Sequence, residues 1–408
     1  MSERLPLQDW MAAAETRAIV AALQKAGGPD AARYVGGCVR DAVLGRPVSD
    51  IDIATPLTPD AVMAALTAEG LGAHPTGIEH GTVTATCRGR PFEVTTLRRD
   101  VETDGRRAVV AFTTDWAEDA ERRDFRLNAL YLDPEGVLFD PTGGGLADAR
   151  AGRIVFVGDA ETRLREDYLR SLRFFRFFAW YGRGEPDAEA LAACTKLKDG
   201  VTGLSGERVS KELLKLLAAP DPRPSVRLMA QAGVLEAALP QASDLVRFGA
   251  MVEIDPDPVL RLSALLPSDD FQVAAAAKRL RLSNVERRRL LCAVPEGPAL
   301  HGALSLPDLR RAIWRLGADT VRDRLKLSAA ATGEGAQAIA AALAETEAWE
   351  RPVFPLGGDD LKAAGVSEGP RFGRLLKLVE DWWADEDFVP DRAAVLARLQ
   401  RALEAGEA

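Results

Sequence analysis

The spacing of apolar residues changes about a third of the way along the chain, and that change limits the fold more than any other feature. Up to about residue 155, short runs that alternate apolar and polar residues are interleaved with stretches of helical spacing. Beyond it, Ala/Leu/Arg-rich segments keep i, i+3, i+4 spacing, interrupted by prolines such as Pro220, Pro240, Pro256 and Pro307, and no run reads as a strand. The spacing predicts a helix over 10–25, an apolar run over 33–36, a helix to about Leu44, a strand in SDIDIAT and a helix over 59–69. GTVTATCRG and RPFEVTTLR follow as two strands joined at Gly89-Arg90. Strands and helices mixed in this way give an α+β domain of about 150 residues, followed by an all-helical remainder. The helical part shows no repeat at a fixed period.

Scarce side chains narrow the chemistry. The four cysteines, Cys38, Cys87, Cys194 and Cys292, lie far apart without a CxxC pair, which excludes a zinc ribbon and a disulfide framework. Three histidines, His74, His80 and His301, are too few for a His-rich metal site. Carboxylates must therefore hold any metal, and hard oxygen ligands favour magnesium or manganese. No stretch approaches the ~18 apolar residues of a membrane span. The first 24 residues read as an amphipathic helix rather than a cationic leader, so a cytoplasmic location is expected.

Charge is uneven. The 408 residues carry a net charge of −9, yet 278–326 holds twelve basic against five acidic residues. From residue 327 on, eight basic residues face fifteen acidic ones. The basic stretch is either a nucleic-acid-binding face or a helical segment with ordinary solvated arginines.

The chemistry concentrates in VGGCVRDAVLGRPVSDIDIAT, residues 35–55. Asp50 and Asp52 flank Ile51 in an alternating run. On a strand they would share a face with about 6.6 Å between Cα atoms. Two carboxylates so placed repel unless a cation lies between them, and they suit a pair of divalent ions clamping a phosphate. Gly36 and Gly37, between a strand and a helix, let the backbone turn sharply and bring N–H groups to an anion. Arg40 can add a guanidinium to the same anion. Glu93, in the next hairpin, is either a third carboxylate or an exposed strand residue.

Two further segments carry polar sets. In RRDFRLNAL, Arg122 or Arg123 suits a triphosphate or ribose and Asp124 or Asn128 a ribose hydroxyl; the alternative is a salt-bridge cluster at a helix start. In EDYLRSLRFFRF, Asp167, Arg170, Arg173 and Arg176 recur every three residues along one side of a helix whose apolar partners pack into a core. An acceptor-only Asp beside a donor-only Arg complements an amino group next to a ring nitrogen, the edge shared by cytosine and adenine. Guanine and uracil would meet like with like. A surface ion pair is the plainer meaning of DxxR. Glu207, Arg208, Lys211 and Glu212 in GERVSKELLKLL form an i, i+4 ion-pair set read as structural.

These segments resemble the class II tRNA nucleotidyltransferase and bacterial poly(A) polymerase family of the polymerase-β superfamily. GGCVRD at 36–41 with Asp50-Ile51-Asp52 resembles its first motif, and RRDFRLNA at 122–129 its second. The glycine turn at 140–145, the 166–177 helix and SGERVSKE at 205–212 follow in the family's order, covering about 33–217. The resemblance implies a polymerase-β-like nucleotidyltransferase head over 1–153, a helical neck over 154–222 for base selection and RNA binding, and a helical body and tail over 223–408 for tRNA binding. It implies template-independent addition of CCA to tRNA 3′ ends from CTP and ATP. Two Mg²⁺, or Mn²⁺, would sit on Asp50 and Asp52, with Glu93 as a further catalytic carboxylate. Gly36, Gly37, Arg40, Arg122, Arg123, Asp124, Asn128, Asp167, Arg170, Arg173 and Arg176 would bind nucleotide, the Asp167/Arg170 pair reading the base. The partner would be the tRNA acceptor arm, with neither DNA nor a membrane. The polar stretch 97–116 would be the flexible loop that CCA-adding and A-adding members keep and CC-only members lack. Poly(A) synthesis and A-only addition are alternatives within the family; a poly(A) enzyme would be expected to carry a long N-terminal extension and a basic C-terminal tail. An inactive RNA-binding protein is the alternative outside it, and the intact Asp50/Asp52 pair argues against that.

Overall fold

The computed structural model describes residues 3–104, 107–292, 300–367 and 369–407. Their contacts fall into two compact units, Met1–Pro240 and Gln241–Ala408. Both expected domain boundaries, 153/154 and 222/223, lie inside the first unit.

Nine strands occur among the described residues, all in the first unit: β1 (Arg33–Val35), β2 (Asp52–Thr55), β3 (Gly72–Gly77), β4 (Thr82–Cys87), β5 (Arg90–Thr96), β6 (Arg98–Asp104), β7 (Arg107–Phe112), β8 (Tyr131–Leu132) and β9 (Leu138–Phe139). Seven form one mixed sheet in the order β3-β4-β5-β2-β1-β8-β9. Every pairing in it is antiparallel except β2 with β5, which run parallel and set Asp52 beside Glu93. Alternation along β2 sends Ile53 to one face and Ala54 to the other, and both are buried. Ala54 packs with Val35, Leu97, Ala120, Ala129 and Tyr131. Helices α1 (Ala14–Gly27) and α3 (Pro59–Ala68) bury Ile19, Leu23, Val62 and Leu66 completely. Between them in sequence comes α2 (Gly37–Val43). Thr58 caps α3 by accepting the Ala61 N–H, and Pro59 occupies its first turn.

The rest of the first unit is helical. It includes α4 (Ala160–Glu166), α5 (Leu169–Tyr181) and α6 (Gly206–Leu217). Aromatic contacts fasten α5 to the segments on either side of β8 and β9: Phe125 meets Phe156 at 4.8 Å and Phe177 at 5.2 Å between ring centroids. In the second unit, α7 (Pro258–Leu265), α8 (Asp270–Leu280), α9 (Asn284–Cys292) and α10 (Ala318–Thr332) precede a C-terminal core centred on Trp383, which meets Trp314, Phe354 and Phe388 edge to face.

Several sequence expectations need correction. The helix over 10–25 is interrupted at Ala13, whose ψ of 137° ends one short helix before α1 begins. The interruption lets Trp10 pack edge-on against Tyr34, 4.8 Å between centroids. The β4–β5 turn is Arg88-Gly89, one residue earlier than expected, because both residues take positive φ (49° and 81°), as a tight two-residue hairpin requires. Asp50 precedes β2 rather than lying on it. The segment over 97–116 is not a loop: β6 and β7 pair antiparallel across most of it. Gly105 of its Asp-Gly pair, and Arg106, lie outside the described residues. The 166–177 segment is not one helix either, since Asp167, extended at φ −157° and ψ 105°, separates α4 from α5.

The glycine turn at 140–145 has a steric reason. Asp140 accepts the Leu146 N–H and the Thr142 hydroxyl, drawing the chain so close that a Cβ on Gly145 would lie 2.4 Å from the Arg126 carbonyl oxygen. That oxygen belongs to backbone and has little room to move. Gly145→Ala is therefore expected to cost about 1–3 kcal/mol through overpacking, read as a lower urea midpoint; an unchanged midpoint would show that the approach relaxes.

Candidate active site

Three carboxylates gather where β2 and β5 run side by side. Asp52 opens β2 in register with Glu93 of β5, and Asp50 lies two residues upstream. Burial pushes the Asp52 carboxyl up to about 6, the Glu93 and Asp50 charges add to the rise, and Arg123 opposes it. The side chains do not close into a ligand shell: among the described residues no group of three His, Cys, Asp or Glu is placed to hold a metal ion alone. The donors nevertheless fit a hard divalent cation. Magnesium is ordinarily bound through one or two carboxylates, with substrate phosphates and water completing its shell. Cys38 takes no part as a nucleophile. It is fully buried, burial pushes its thiol up to about 12, and the thiol donates to the Val35 and Asp52 carbonyls.

The Gly36-Gly37 turn stands next to these carboxylates. Gly36 adopts φ 71° and ψ −121°, a conformation open to glycine and strained for other residues, and starts α2. The Arg123 guanidinium lies 3.6 Å from where a Gly36 Cβ would sit, so the turn's open side faces a cation. Arg123 is aimed by Asp119, which it meets at 2.9 Å and which also accepts Arg122 Nε at 2.8 Å and the Tyr131 hydroxyl at 2.7 Å. Burial would raise the Asp119 carboxyl, but Arg123, Arg122 and Tyr131 together hold it at about 2.

Arg40 is engaged within the protein. Its guanidinium is buried, donates to Asp41, Asn128 (2.7 Å) and the Tyr181 hydroxyl (2.6 Å), and stacks on the Tyr181 ring. With its nitrogens so engaged, it braces the turn. The chain of partners continues. Asn128 donates to Asp124 at 3.1 Å, Asp124 accepts Arg173 Nε at 2.7 Å, and Glu212 of α6 pairs with Arg176 at 2.6 Å and lies 3.8 Å from Arg173. Arg173, with Asn128 and the Phe125 N–H, holds the Asp124 carboxyl below its ordinary value against burial. Asp124, Asn128 and Arg173, expected to bind nucleotide, are thus bound to one another, and Arg176, expected to do the same, to Glu212.

Asp167 and Arg170 do not pair with each other, so the plain ion-pair meaning of DxxR fails here. Asp167 accepts Arg208 at 2.6 Å and the Leu169 N–H at 3.1 Å. Arg170 binds Glu166 and donates to the Arg163 carbonyl at 3.1 Å and the Arg122 carbonyl at 3.3 Å. Sequence reading missed Asp119, Tyr131, Tyr181 and the hold of Arg208 on Asp167. Only Asp119 carried a local signal, its i+3 and i+4 spacing to Arg122 and Arg123.

A carboxyl raised on folding opposes the fold once it ionises. For Asp52 the cost is absent well below the ordinary aspartate value, grows as pH rises and is complete above about 6. Asp52→Asn is therefore expected to raise the melting temperature of EDTA-treated protein more at pH 8 than at pH 4. Adding magnesium at pH 8 should stabilise the unmutated protein more than the variant. Equal shifts at both pH values would show that the charges do not couple.

Residues 32–155 match the family model of the poly A polymerase head domain, and 185–245 match that of a probable RNA and SrmB-binding site of polymerase A. The mitochondrial CCA tRNA nucleotidyltransferase 1 of Mus musculus is 34% identical over 386 residues, covering 90% of this chain and 86% of the relative. The CCA-adding enzyme of Geobacillus stearothermophilus is 40% identical over 213 residues, about half of each chain (51% and 50%). Among solved structures, the Bacillus stearothermophilus CCA-adding enzyme in complex with CTP matches with a TM-score of 0.79 at 25% identity, covering 95% of this chain and 97% of that one. The Thermotoga maritima CCA-adding enzyme complexed with tRNA_CCA shares the fold at a TM-score of 0.66 and 20% identity, covering 95% of each chain.

Proposed function

This chain belongs to the CCA tRNA nucleotidyltransferase family, and we propose that it completes tRNA 3′ ends through the carboxylates at β2 and β5 and the polar set of α5. Its activity is the addition of CCA to tRNA, with CTP and ATP as nucleotide substrates. Divalent-metal dependence comes with the family; that the ions are two magnesium ions, on Asp50 and Asp52 with Glu93 beside them, is part of this proposal. A cation bound there would lower the pKa of the attacking tRNA hydroxyl and polarise the phosphate under attack. The observation that carries the reading is the register that sets Asp52 beside Glu93 with Asp50 two residues upstream; burial first, and then the Glu93 and Asp50 charges, push the Asp52 carboxyl up to about 6.

The chain's own residues supply the positioning. The Gly36-Gly37 turn leaves the start of α2 without a side chain in the way, the Gly36 N–H itself being donated to the Leu130 carbonyl, and Arg123, with Arg122 beside it, adds positive charge for the phosphates. Arg40 and Asn128 brace that turn, and Asp124, Arg173 and Arg176 link it to α5. Asp167 accepts from the exocyclic amine of cytosine or adenine, and Arg170 donates to the adjacent ring nitrogen. The 1–153 head, the 154–222 neck and the 223–408 body and tail are the functional divisions of this reading. No helix among the described residues is long and apolar enough to cross a membrane. A cytoplasmic location belongs to the proposal, and the mitochondrial names belong to the relatives.

Incubation with tRNA lacking CCA and each labelled NTP tests the reading. The protein should incorporate C and then A, and Asp50→Ala or Asp52→Ala should lower the rate by about a thousandfold with circular dichroism unchanged. Near-normal incorporation by folded Asp52→Ala protein would overturn it.

The second unit contributes a basic face. Lys278 and Arg281 of the α8 end, with exposed Arg287 of α9, border a cleft of about 550 Å³ floored by Ala274, Ala275 and Ala277. Arg289 is different: it bridges Asp257 at 2.7 Å and Asp323 at 2.6 Å and holds α7, α9 and α10 together. Residues 293–299 of the basic stretch lie outside the described residues. Arg287→Glu with Arg288→Glu should weaken tRNA binding at low salt and reduce its salt dependence by about one to two counterions, with the KM for CTP unchanged. Unchanged affinity in filter binding would make this a solvated face.

A further inference from the structure

α6 places Arg208 and Glu212 one turn apart, and the two reach the two ends of the polar set that runs from the link before α5 along that helix. Glu212 takes Arg176, and Arg208 takes Asp167. Asp167 needs such a partner. It stands on the extended link between α4 and α5, where no helix restrains its side chain, and its local partner is the Leu169 N–H on Oδ1. Arg208 holds the other oxygen, Oδ2, at 2.6 Å. One donor on each oxygen fixes the carboxylate plane. An ionised carboxylate has about four lone-pair positions, so each oxygen keeps one for a further donor.

Resting on the reading of Asp167 and Arg170 as the base-selecting pair, we propose that Arg208 is a positioning residue for nucleotide choice: it aims the Asp167 carboxylate at the incoming base without touching the base itself. Arg170 is already fixed by Glu166 and the Arg163 and Arg122 carbonyls. The relative placement of acceptor and donor therefore depends on what holds Asp167. Released from Arg208, the carboxylate turns about its own bonds, and the distinction between an amine and a carbonyl on the base edge weakens. An ammonium supplies charge without the planar fork, so lysine restores the geometry only in part.

The experiment uses the full chain, with tRNA lacking CCA and tRNA ending in CC, and compares kcat/KM for CTP against UTP and for ATP against GTP. Arg208→Ala should lower both ratios by about tenfold to a hundredfold. Arg208→Lys should recover part of the loss. Asp167→Ala should lower the ratios further, and adding Arg208→Ala to it should change them no more. A uniform loss of rate for all four nucleotides with the ratios kept would reduce Arg208 to structural support and overturn the inference, as would additive effects in the double variant. Ratios kept by Asp167→Ala would overturn the base-reading assignment itself; ratios lost in Asp167→Ala but kept in Arg208→Ala would overturn only the role of Arg208. If Arg208→Ala does not fold, Arg208→Gln and Arg208→Lys give the same comparison.

Discussion

The run of paired charges from Arg40 through Asn128, Asp124 and Arg173 to Glu212 and Arg176 is what the rest of the first unit depends on. Asp124 and Glu212 are largely covered, and Arg40 is buried to 7% exposure. Covered charges are tolerated only when each has a partner, and removing one member strands the next. The network therefore specifies one arrangement of the glycine turn, the residues after α2 and the α5 and α6 helices. Apolar contact alone, through Phe125, Phe156 and Phe177, would allow the helices to slide.

At the far side of the glycine turn the charges are unbalanced. Asp50, Asp52 and Glu93 face one another with Arg123 as the nearest named cation, and Asp119 draws on that arginine too. The site thus combines an arginine cluster in surplus over its shared Asp119 with a carboxylate cluster short of positive charge. Its open side carries glycine backbone instead of side chains. Such a surface favours a ligand that brings metal charge and phosphate together.

Much of this was legible in the sequence because it is local. Alternation in β4 and β5, the Thr58-Pro59 helix start, the Gly36-Gly37 turn and the absence of strands after Phe139 among the described residues all follow from neighbours within a few positions. The family resemblance added the order of motifs and the residues to examine. What escaped lies in pairings across the fold. The Tyr181 hydroxyl reaches Arg40 across 141 positions and Arg208 reaches Asp167 across 41, and no local spacing announces either. The break at Asp167 escaped for a different reason: the three-residue recurrence of Asp167, Arg170, Arg173 and Arg176 continues through it, so periodicity reads one helix where the backbone makes two. β6, RRDVETD, was hidden by its polarity, since a polar strand lacks the alternation that marks a half-buried sheet, and the apolar run of β7, RAVVAF, went unread inside the same stretch.

The parallel pairing of β2 with β5 carries a consequence for how the protein is made. Asp52 and Glu93 are 41 positions apart and meet only when a helix and two intervening strands, α3, β3 and β4, have been laid down between them. The β4–β5 hairpin closes over a two-residue turn, but the β2–β5 edge must wait for a long loop to close, and long-range parallel pairing is intrinsically slow. The carboxylates that repel one another are therefore the groups whose approach comes late in folding, after the hairpin that carries Glu93 is in place. A ribosome-bound chain whose synthesis has stopped before Glu93 would hold the glycine turn and both aspartates while lacking the strand that crowds them. Its first motif would be complete in sequence and still carry an unassembled charge cluster.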